Sequence, residues 1–131
     1  MDRVQGWLTE PDQKKWVDET TKYHIEIVRN SHSGALCGYV NIPPGHPCFD
    51  SDYDHELLDS INVHGGVTYA EPASTFYWRF GFDCAHAGDF MPVFDGITVH
   101  ESYTVYRNMD YVTTECESLA KQLFQITQEQ K

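Results

Sequence analysis

The chain has 131 residues and a mass of 15.1 kDa, which predicts a single domain. Apolar residues make up 40% of the chain and aromatic residues 14%, enough to form a packed core. Nine Lys and Arg against twenty Asp and Glu give a formal charge of -11. Because this charge repels phosphate backbones and anionic headgroups, it argues against a nucleic-acid groove and a polybasic membrane contact.

The cysteines and the apolar segments indicate the compartment. No two cysteines form a Cys-x-x-Cys pair, so neither a zinc ribbon nor a disulfide scaffold is indicated. We find no apolar leader and no apolar run near the roughly 20 residues that a spanning helix needs. We therefore expect a cytoplasmic protein with reduced thiols, and a homo-oligomer stays open. The four cysteines are Cys37, Cys48, Cys84 and Cys116.

The first third of the chain predicts an arm followed by a hairpin. Residues 1–21 are polar, and tryptophans such as Trp16 are among their few apolar anchors, so we expect an arm draped over the domain. Residues 23–28 and 36–42 are rich in β-branched and aromatic side chains and are separated by a Ser-His-Ser-Gly turn signal. This pattern predicts a β-hairpin.

Loops and a central strand are predicted next. Three prolines within residues 43–47 fix the backbone and remove donors, which predicts a rigid irregular loop. The acidic segment 50–59 indicates a solvated loop or a short helix. Extended chain around 61–69 is interrupted by a glycine pair. Residues 75–82 are aromatic on both alternating sets, which is typical of a central strand covered on both faces.

The C-terminal segment has the periodicity of an amphipathic helix. Apolar residues recur at steps of three and four, which predicts a helix over 108–129 with Asn108 or Asp110 at its start. The sum is an α+β domain: a mainly antiparallel sheet of about four to six short strands packed by this helix. The periodic residues are Met109, Val112, Cys116, Leu119, Ala120, Leu123 and Ile126.

The densest polar constellation combines a His-Gly-Gly turn with an irregular stretch over 83–96, which is long enough to favour a functional loop. We expect its acidic and histidine side chains to converge as hydrogen-bond partners of a small polar molecule. Alternatively, His64, Asp83, His86 and Asp89 hold a divalent metal. A structural role, in which Asp caps loop amides and His satisfies buried backbone, is weighed equally. The predicted ligand-binding residues are His64, Gly65, Gly66, Arg79, Asp83, His86 and Asp89.

Arginines are informative in so acidic a chain. Arg79 lies inside the aromatic strand, where a charged side chain needs a carboxylate or an anionic ligand as partner. Arg107 stands near three tyrosines, which offer charge beside stacking faces, although packing under the helix is the favoured role of those rings.

Zinc binding and nucleophilic catalysis are weaker interpretations. His46 and Cys48 with Cys84 and His86 would supply two ligand pairs, but one-residue gaps are unusual for zinc. The chain has no Gly-x-Ser-x-Gly, P-loop or Gly-x-Gly-x-x-Gly motif. A thiolate at Cys84 is disfavoured by the neighbouring Asp83. We therefore expect no resident cofactor, with a divalent metal as the alternative.

The motifs in order resemble a family of small proteins encoded by bacteriophages and prophages. They are Gly-Tyr-Val at 38–40, Gly-His-Pro at 45–47, His-Gly-Gly-Val-Thr-Tyr at 64–69, Gly-Phe-Asp-Cys-Ala-His-Ala-Gly-Asp at 81–89 and Tyr-Val with Glu-Cys-Glu-Ser-Leu-Ala-Lys-Gln-Leu at 111–123. The resemblance implies a phage origin, expression in the cytoplasm of an infected bacterial host and an accessory role, but no particular reaction.

Three functions follow as hypotheses. The first is a small-ligand-binding protein, plausible as a counter-defence factor that sequesters a nucleotide-type signal by analogy with other phage accessory proteins. The second is a metal-dependent hydrolase that uses His64, Asp83, His86 and Asp89 to activate water. The third is an acidic inhibitor that blocks a host enzyme by mimicking DNA.

Overall fold

The computed structural model describes residues 9–86, 89, 91–92 and 105–129. These residues form five strands, one 3-10 turn at Glu56–Leu58 and one long helix. The strands and the helix are β1 (Gln13–Val17), β2 (His24–Arg29), β3 (Leu36–Ile42), β4 (Tyr69–Ser74), β5 (Tyr77–Asp83) and α1 (Met109–Glu129).

All five strands form one antiparallel sheet in the order β1-β2-β3-β5-β4. The aromatic strand β5 lies between β3 and β4, so both of its edges are paired. Strand β4 is an edge strand, and its register shifts between Pro72 and Ser74. A proline is tolerated there because an edge strand need not donate on its outer side.

One face of the sheet packs against α1 and forms the core. Alternate residues of each strand point toward the helix, which follows from the two-residue period of a strand. Helix residues at steps of three and four meet them. The fully buried members from the sheet and the helix are Ile25, Ile27, Leu36, Val40, Ile42, Phe80, Phe82, Val112, Cys116, Leu119, Ala120 and Leu123. This packing confirms the predicted α+β architecture.

The opposite face of the sheet, here called the open face, carries polar and aromatic side chains. Its residues line up in rows across the strands because directly paired residues share a face. One row runs through Val17, His24, Asn41, Arg79 and Glu71. The next row runs through Lys15, Glu26, Tyr39, Gly81 and Tyr69. Asp83 at the end of β5 pairs with Cys37 in a third row.

The structure confirms the hairpin and the C-terminal helix but corrects the N-terminal prediction. Within the expected arm over 1–21, residues Gln13–Val17 form a regular edge strand because they pair with β2. The two lysines of this strand, Lys14 and Lys15, hide the alternation of buried and exposed positions in the sequence. Asn108 caps α1 by accepting from the Tyr111 N–H at 2.8 Å. Within the described ranges, no helix has the length and apolar character that crossing a membrane requires.

Candidate functional site

The His-Gly-Gly segment forms a tight turn that positions His64. The Gly66 N–H donates to the Val63 carbonyl at 2.8 Å and closes the turn. Gly65 and Gly66 have φ values of 70° and 80°, which L-residues with side chains rarely adopt. The His64 N–H donates to Glu115 of α1 at 2.7 Å. The turn is therefore fixed to the helix, which explains how a loop histidine acquires a defined position.

Asp89 is the buried centre of a polar cluster. Its side chain is 1% exposed. His64 Nε2 donates to its carboxylate at 2.8 Å and 3.0 Å, Arg107 Nε donates at 3.0 Å, and the His86 N–H donates at 3.1 Å. We call His64, His86, Asp89, Arg107 and Tyr111 the Asp89 cluster. The structure thus brings together three of the predicted ligand-binding residues, His64, His86 and Asp89, around one carboxylate.

The hydrogen bonds to Asp89 outweigh the cost of burying its charge. Burial by itself would raise the pKa of this carboxyl, but the bonds from His64, Arg107 and the His86 backbone lower it below its usual value. The carboxylate is therefore ionised at neutral pH. A parallel β-bridge between Asp89 and Val105 places Arg107, two residues further on, beside it.

The tautomer of His64 follows from its two partners. A carboxylate only accepts hydrogen bonds, so Nε2 carries a proton toward Asp89. In the neutral ring, Nδ1 then accepts from the Tyr111 hydroxyl at 2.8 Å. Burial, and then the nearby Glu115, raises the pKa of Tyr111, so the phenol keeps its proton. Both ring nitrogens of His64 are occupied by protein groups.

His86 joins Asp83 to the glycine turn. Its Nε2 lies 3.1 Å from Asp83 Oδ1, which is an ion-pair distance although the angle departs from that of a hydrogen bond. The imidazole also lies against Gly65, where an added Cβ would stand 2.2 Å from Nε2. Asp83 accepts from the Ala85 N–H at 3.1 Å and from the Tyr69 hydroxyl at 3.4 Å. Asp83 therefore has the amide-capping role that the structural alternative predicted.

Arg107 is the arginine of the Asp89 cluster, and its guanidinium is held in a defined orientation. Its guanidinium carbon lies 5.0 Å from the centre of the Tyr111 ring, a cation–π distance. Asp89 occupies Nε, and among the described residues no hydrogen-bond partner is found for the two terminal nitrogens. The side chain is 28% exposed. Among the described residues, the guanidinium is therefore held through Nε and against the Tyr111 ring.

Arg79 lies elsewhere. It stands four residues before Asp83 on β5, roughly 13 Å away along the strand. Its terminal nitrogens face Glu26 at 3.2 Å and Glu71 at 3.8 Å, and it lies over the Tyr39 ring. The structure therefore does not bring this predicted ligand-binding residue to the Asp89 cluster.

Gly66 has nothing within 4 Å of an added Cβ. A close approach of another group is therefore not the reason for a glycine at this position.

The described residues give no support to a metal site. Within the ranges that the structure describes, no group of three or more His, Cys, Asp or Glu side chains is arranged to hold a metal ion. In the proposed zinc set, His46 is already bonded to the Leu123 carbonyl at 2.7 Å and to the Cys48 N–H at 2.9 Å. These two bonds use both ring nitrogens, which gives the Gly-His-Pro motif a structural role between its loop and α1.

Cys84 is a poor nucleophile, as the sequence predicts. It is 1% exposed, and burial raises the pKa of its thiol far above the usual value, with Asp89 and other nearby groups adding to the effect. The sequence argument named Asp83 as the cause, whereas burial is the larger one. The thiol is therefore a small core group.

Two members of the Asp89 cluster were not among the predicted site residues. The sequence placed Arg107 and Tyr111 near each other, but it favoured core packing for the tyrosine rings. The scarcity of arginines was the signal that could have selected Arg107. Tyr111 lies on the first turn of α1, four residues before Glu115, and only the folded chain shows that both reach His64.

No protein-family model, no curated protein and no solved structure matches this chain. Its function is therefore argued from the arrangement of the cluster. A fixed guanidinium beside a buried carboxylate can form charge-assisted hydrogen bonds with a small anion.

Proposed function

We propose that the protein binds a small anionic ligand of nucleotide type at the Asp89 cluster and holds it without chemical change. The observation that carries this proposal is the guanidinium of Arg107, which is oriented through Nε while its terminal nitrogens have no partner among the described residues. Such a planar fork matches the oxygens of a phosphoryl group in two parallel hydrogen bonds.

His86 and the Gly65 turn form the neighbouring wall of the proposed site. The ring centres of His64 and His86 lie 6.0 Å apart, and His86 is partly exposed. Its imidazole therefore supplies a partly exposed ring surface to this wall, while Nε2 stays with Asp83. Because Asp89 binds both Arg107 and the His86 backbone, the two ligand-facing groups share one anchor. Preorganisation of this kind favours affinity because fewer side chains lose freedom on binding.

Binding without reaction is favoured by the state of the titratable groups. Nδ1 of His64 accepts from the Tyr111 hydroxyl, so this imidazole could take a proton only from or through Tyr111. The raised pKa of the Tyr111 phenol and the burial of Cys84 leave neither as an activated nucleophile. The function proposed is therefore sequestration.

The biological role is part of the same proposal. The resemblance to phage and prophage proteins suggests that the ligand is a nucleotide signal of a bacterial host. Sequestering that signal in the cytoplasm of an infected cell would counter a host defence. One preformed site per chain is sufficient for this role, and no protein target is needed.

The test is calorimetric titration with cyclic mononucleotides, cyclic dinucleotides, ADP-ribose derivatives and inorganic phosphate. Bound material is then released by heat and identified by chromatography. We expect one member of the panel to bind and to be recovered intact. Arg107→Gln should weaken binding about tenfold or more, because it removes charge-assisted hydrogen bonds. Lys121→Gln, an equal charge change on the exposed side of α1, should not weaken it.

Three results would overturn the proposal. One is no binding by any member of the panel at millimolar concentration. Another is equal affinity of the Arg107→Gln and wild-type proteins. The third is an altered ligand after heat release; if a chelator abolished the alteration, a metal-dependent hydrolase would replace the binding protein. A salt-sensitive complex with a DNA-binding host protein would instead favour the acidic inhibitor.

A further inference from the structure

Strand β1 forms one edge of the sheet, and half of its backbone groups point away from the sheet. The Arg29 N–H donates to the Asp12 carbonyl at 2.8 Å, and the Asp18 N–H donates to the Tyr23 carbonyl at 2.9 Å. Together with the β1–β2 register, these bonds place the even-numbered residues of β1 in hydrogen-bonded pairs with β2. The odd-numbered residues therefore direct their N–H and C=O groups outward. They are Gln13, Lys15 and Val17.

This outer edge is open among the described residues. No strand of the described chain pairs with it, and the Val17 side chain beside it is 49% exposed. A concavity of about 490 Å³ adjoins the end of β1 on the side of α1, where Lys121 lines it. The other edge strand, β4, is protected by Pro72 and a register shift. Strand β1 has neither, so its edge is a template for the addition of a strand.

Charge selects one way of pairing two β1 strands. An antiparallel pairing brings outward residues together and pairs at least three residues of each strand only when its two-fold axis lies at Lys14, Lys15 or Trp16. The first two registers set a lysine directly opposite the same lysine of the other copy, which is destabilising. The register centred on Trp16 avoids both of these contacts.

In the Trp16 register the two strands complement each other. Lys15 lies opposite Val17 of the second copy, and the symmetry of the pair repeats this contact with two backbone hydrogen bonds each time. Trp16 meets Trp16 of the second copy in a non-hydrogen-bonded pair, where side chains approach most closely and aromatic pairs are favourable. Lys14 comes opposite Asp18 of the second copy, so opposite charges replace like charges.

We infer that the protein forms a two-fold dimer by antiparallel pairing of β1 with β1 of a second copy, centred on Trp16. The two sheets then continue into one another, with both α1 helices on the same face. The contact is small, so the dimer is weak and reversible. Strand β1 contains no residue of the Asp89 cluster, and the inference does not rest on the proposed ligand.

Sedimentation velocity of the full chain, from micromolar to millimolar concentration, measures the dimer. We expect a reversible equilibrium between monomer and dimer. Amide hydrogen exchange over the same range locates the interface. The outward N–H groups of Lys15 and Val17 should be protected only in the dimer, whereas those of Lys14 and Trp16 bond to β2 and should be protected in both states.

Two substitutions of Val17 test the register, because this exposed residue lies opposite Lys15 of the second copy. Val17→Glu should tighten the dimer about threefold or more, and Val17→Lys should weaken it by a similar factor. The formal charge of -11 becomes -12 with glutamate and -10 with lysine, so net charge alone predicts the opposite order. Phe76→Glu and Phe76→Lys, the same charge changes at a 69% exposed residue between β4 and β5, should have little effect.

The inference is overturned if the chain stays monomeric at millimolar concentration, or if Val17→Lys dimerises as well as Val17→Glu or better. A dimer whose Lys15 and Val17 amides still exchange rapidly would have its interface elsewhere and would overturn it too. Protection of these amides in a chain that stays monomeric would show that another segment occupies the edge, and this result would also exclude the dimer.

Discussion

The two glycines of the His64 turn allow a backbone effect to be separated from a side-chain effect. Both have positive φ, so replacement of either by alanine forces a methyl-bearing residue into the left-handed region. Only Gly65 also faces the His86 imidazole, 2.2 Å from the position of an added Cβ, whereas Gly66 has nothing within 4 Å. Gly65→Ala should therefore cost more than Gly66→Ala.

The size of each effect follows from these contacts. The left-handed conformation costs a residue such as alanine roughly 1–2 kcal/mol, and both variants bear this cost. Gly65→Ala must in addition displace the His86 ring from Asp83, a partly exposed pair worth at most about 1 kcal/mol. With roughly 4 °C per kcal/mol for a domain of this size, Gly66→Ala should melt roughly 4–8 °C below wild type and Gly65→Ala up to about 4 °C lower again.

Thermal denaturation followed by circular dichroism measures both shifts, and a double mutant identifies their origin. In a His86→Ala background the ring is absent, so the two glycine substitutions should cost the same. Equal melting temperatures of the single variants would refute this account of Gly65. A difference that survives in the His86→Ala background would show that the ring is not its cause.

Three further predictions concern stability. His46 is buried and its pKa is lowered by burial, so the folded chain keeps it neutral while the unfolded chain protonates near the ordinary value of 6.5; stability should be full above about pH 6.5 and fall as pH drops, and His46→Gln should flatten this dependence of the melting temperature. Asp89→Asn removes the charge that holds the guanidinium and should lower the free energy of urea unfolding by about 1.5–3 kcal/mol; an unchanged value would contradict the stabilising role of Asp89 in the Asp89 cluster. Gly38→Ala places a methyl 2.5 Å from Cys116 Sγ and should cost about 1–3 kcal/mol by overpacking, whereas Gly45→Ala, with nothing within 4 Å, should cost little.

Much of the fold could be predicted because local pattern and burial agree. The helix over 108–129 has a strict apolar period, and α1 occupies nearly the same residues. The hairpin of β2 and β3 is equally regular. Strand β1 could not be predicted, because Lys14 and Lys15 interrupt its apolar character and pairing with β2, a tertiary effect, makes it a strand.

The site could be predicted only in part. His64, His86 and Asp89 were grouped because glycines and polar residues cluster around them in the sequence, and the structure brings them together. Arg107 joins them through a bridge between Asp89 and Val105, a contact of sixteen residues' separation that no periodicity reveals. Arg79 was grouped with them by its charge, but it lies four residues before Asp83, toward the other end of β5. Residues 87–88, 90 and 93–96 of the predicted loop lie outside the described residues.

A net charge of -11 is compatible with the binding of an anion, because the charges that decide affinity are local. At physiological salt, the field of an exposed carboxylate is largely screened beyond about 8 Å. The carboxylate nearest to Arg107 is itself engaged by that guanidinium group, so it fixes the donor more than it repels a ligand. At the proposed anion site, Arg107 is oriented by Asp89 before a ligand arrives. The acidic surface elsewhere then disfavours nucleic acids, whose many phosphates extend beyond the one favourable contact.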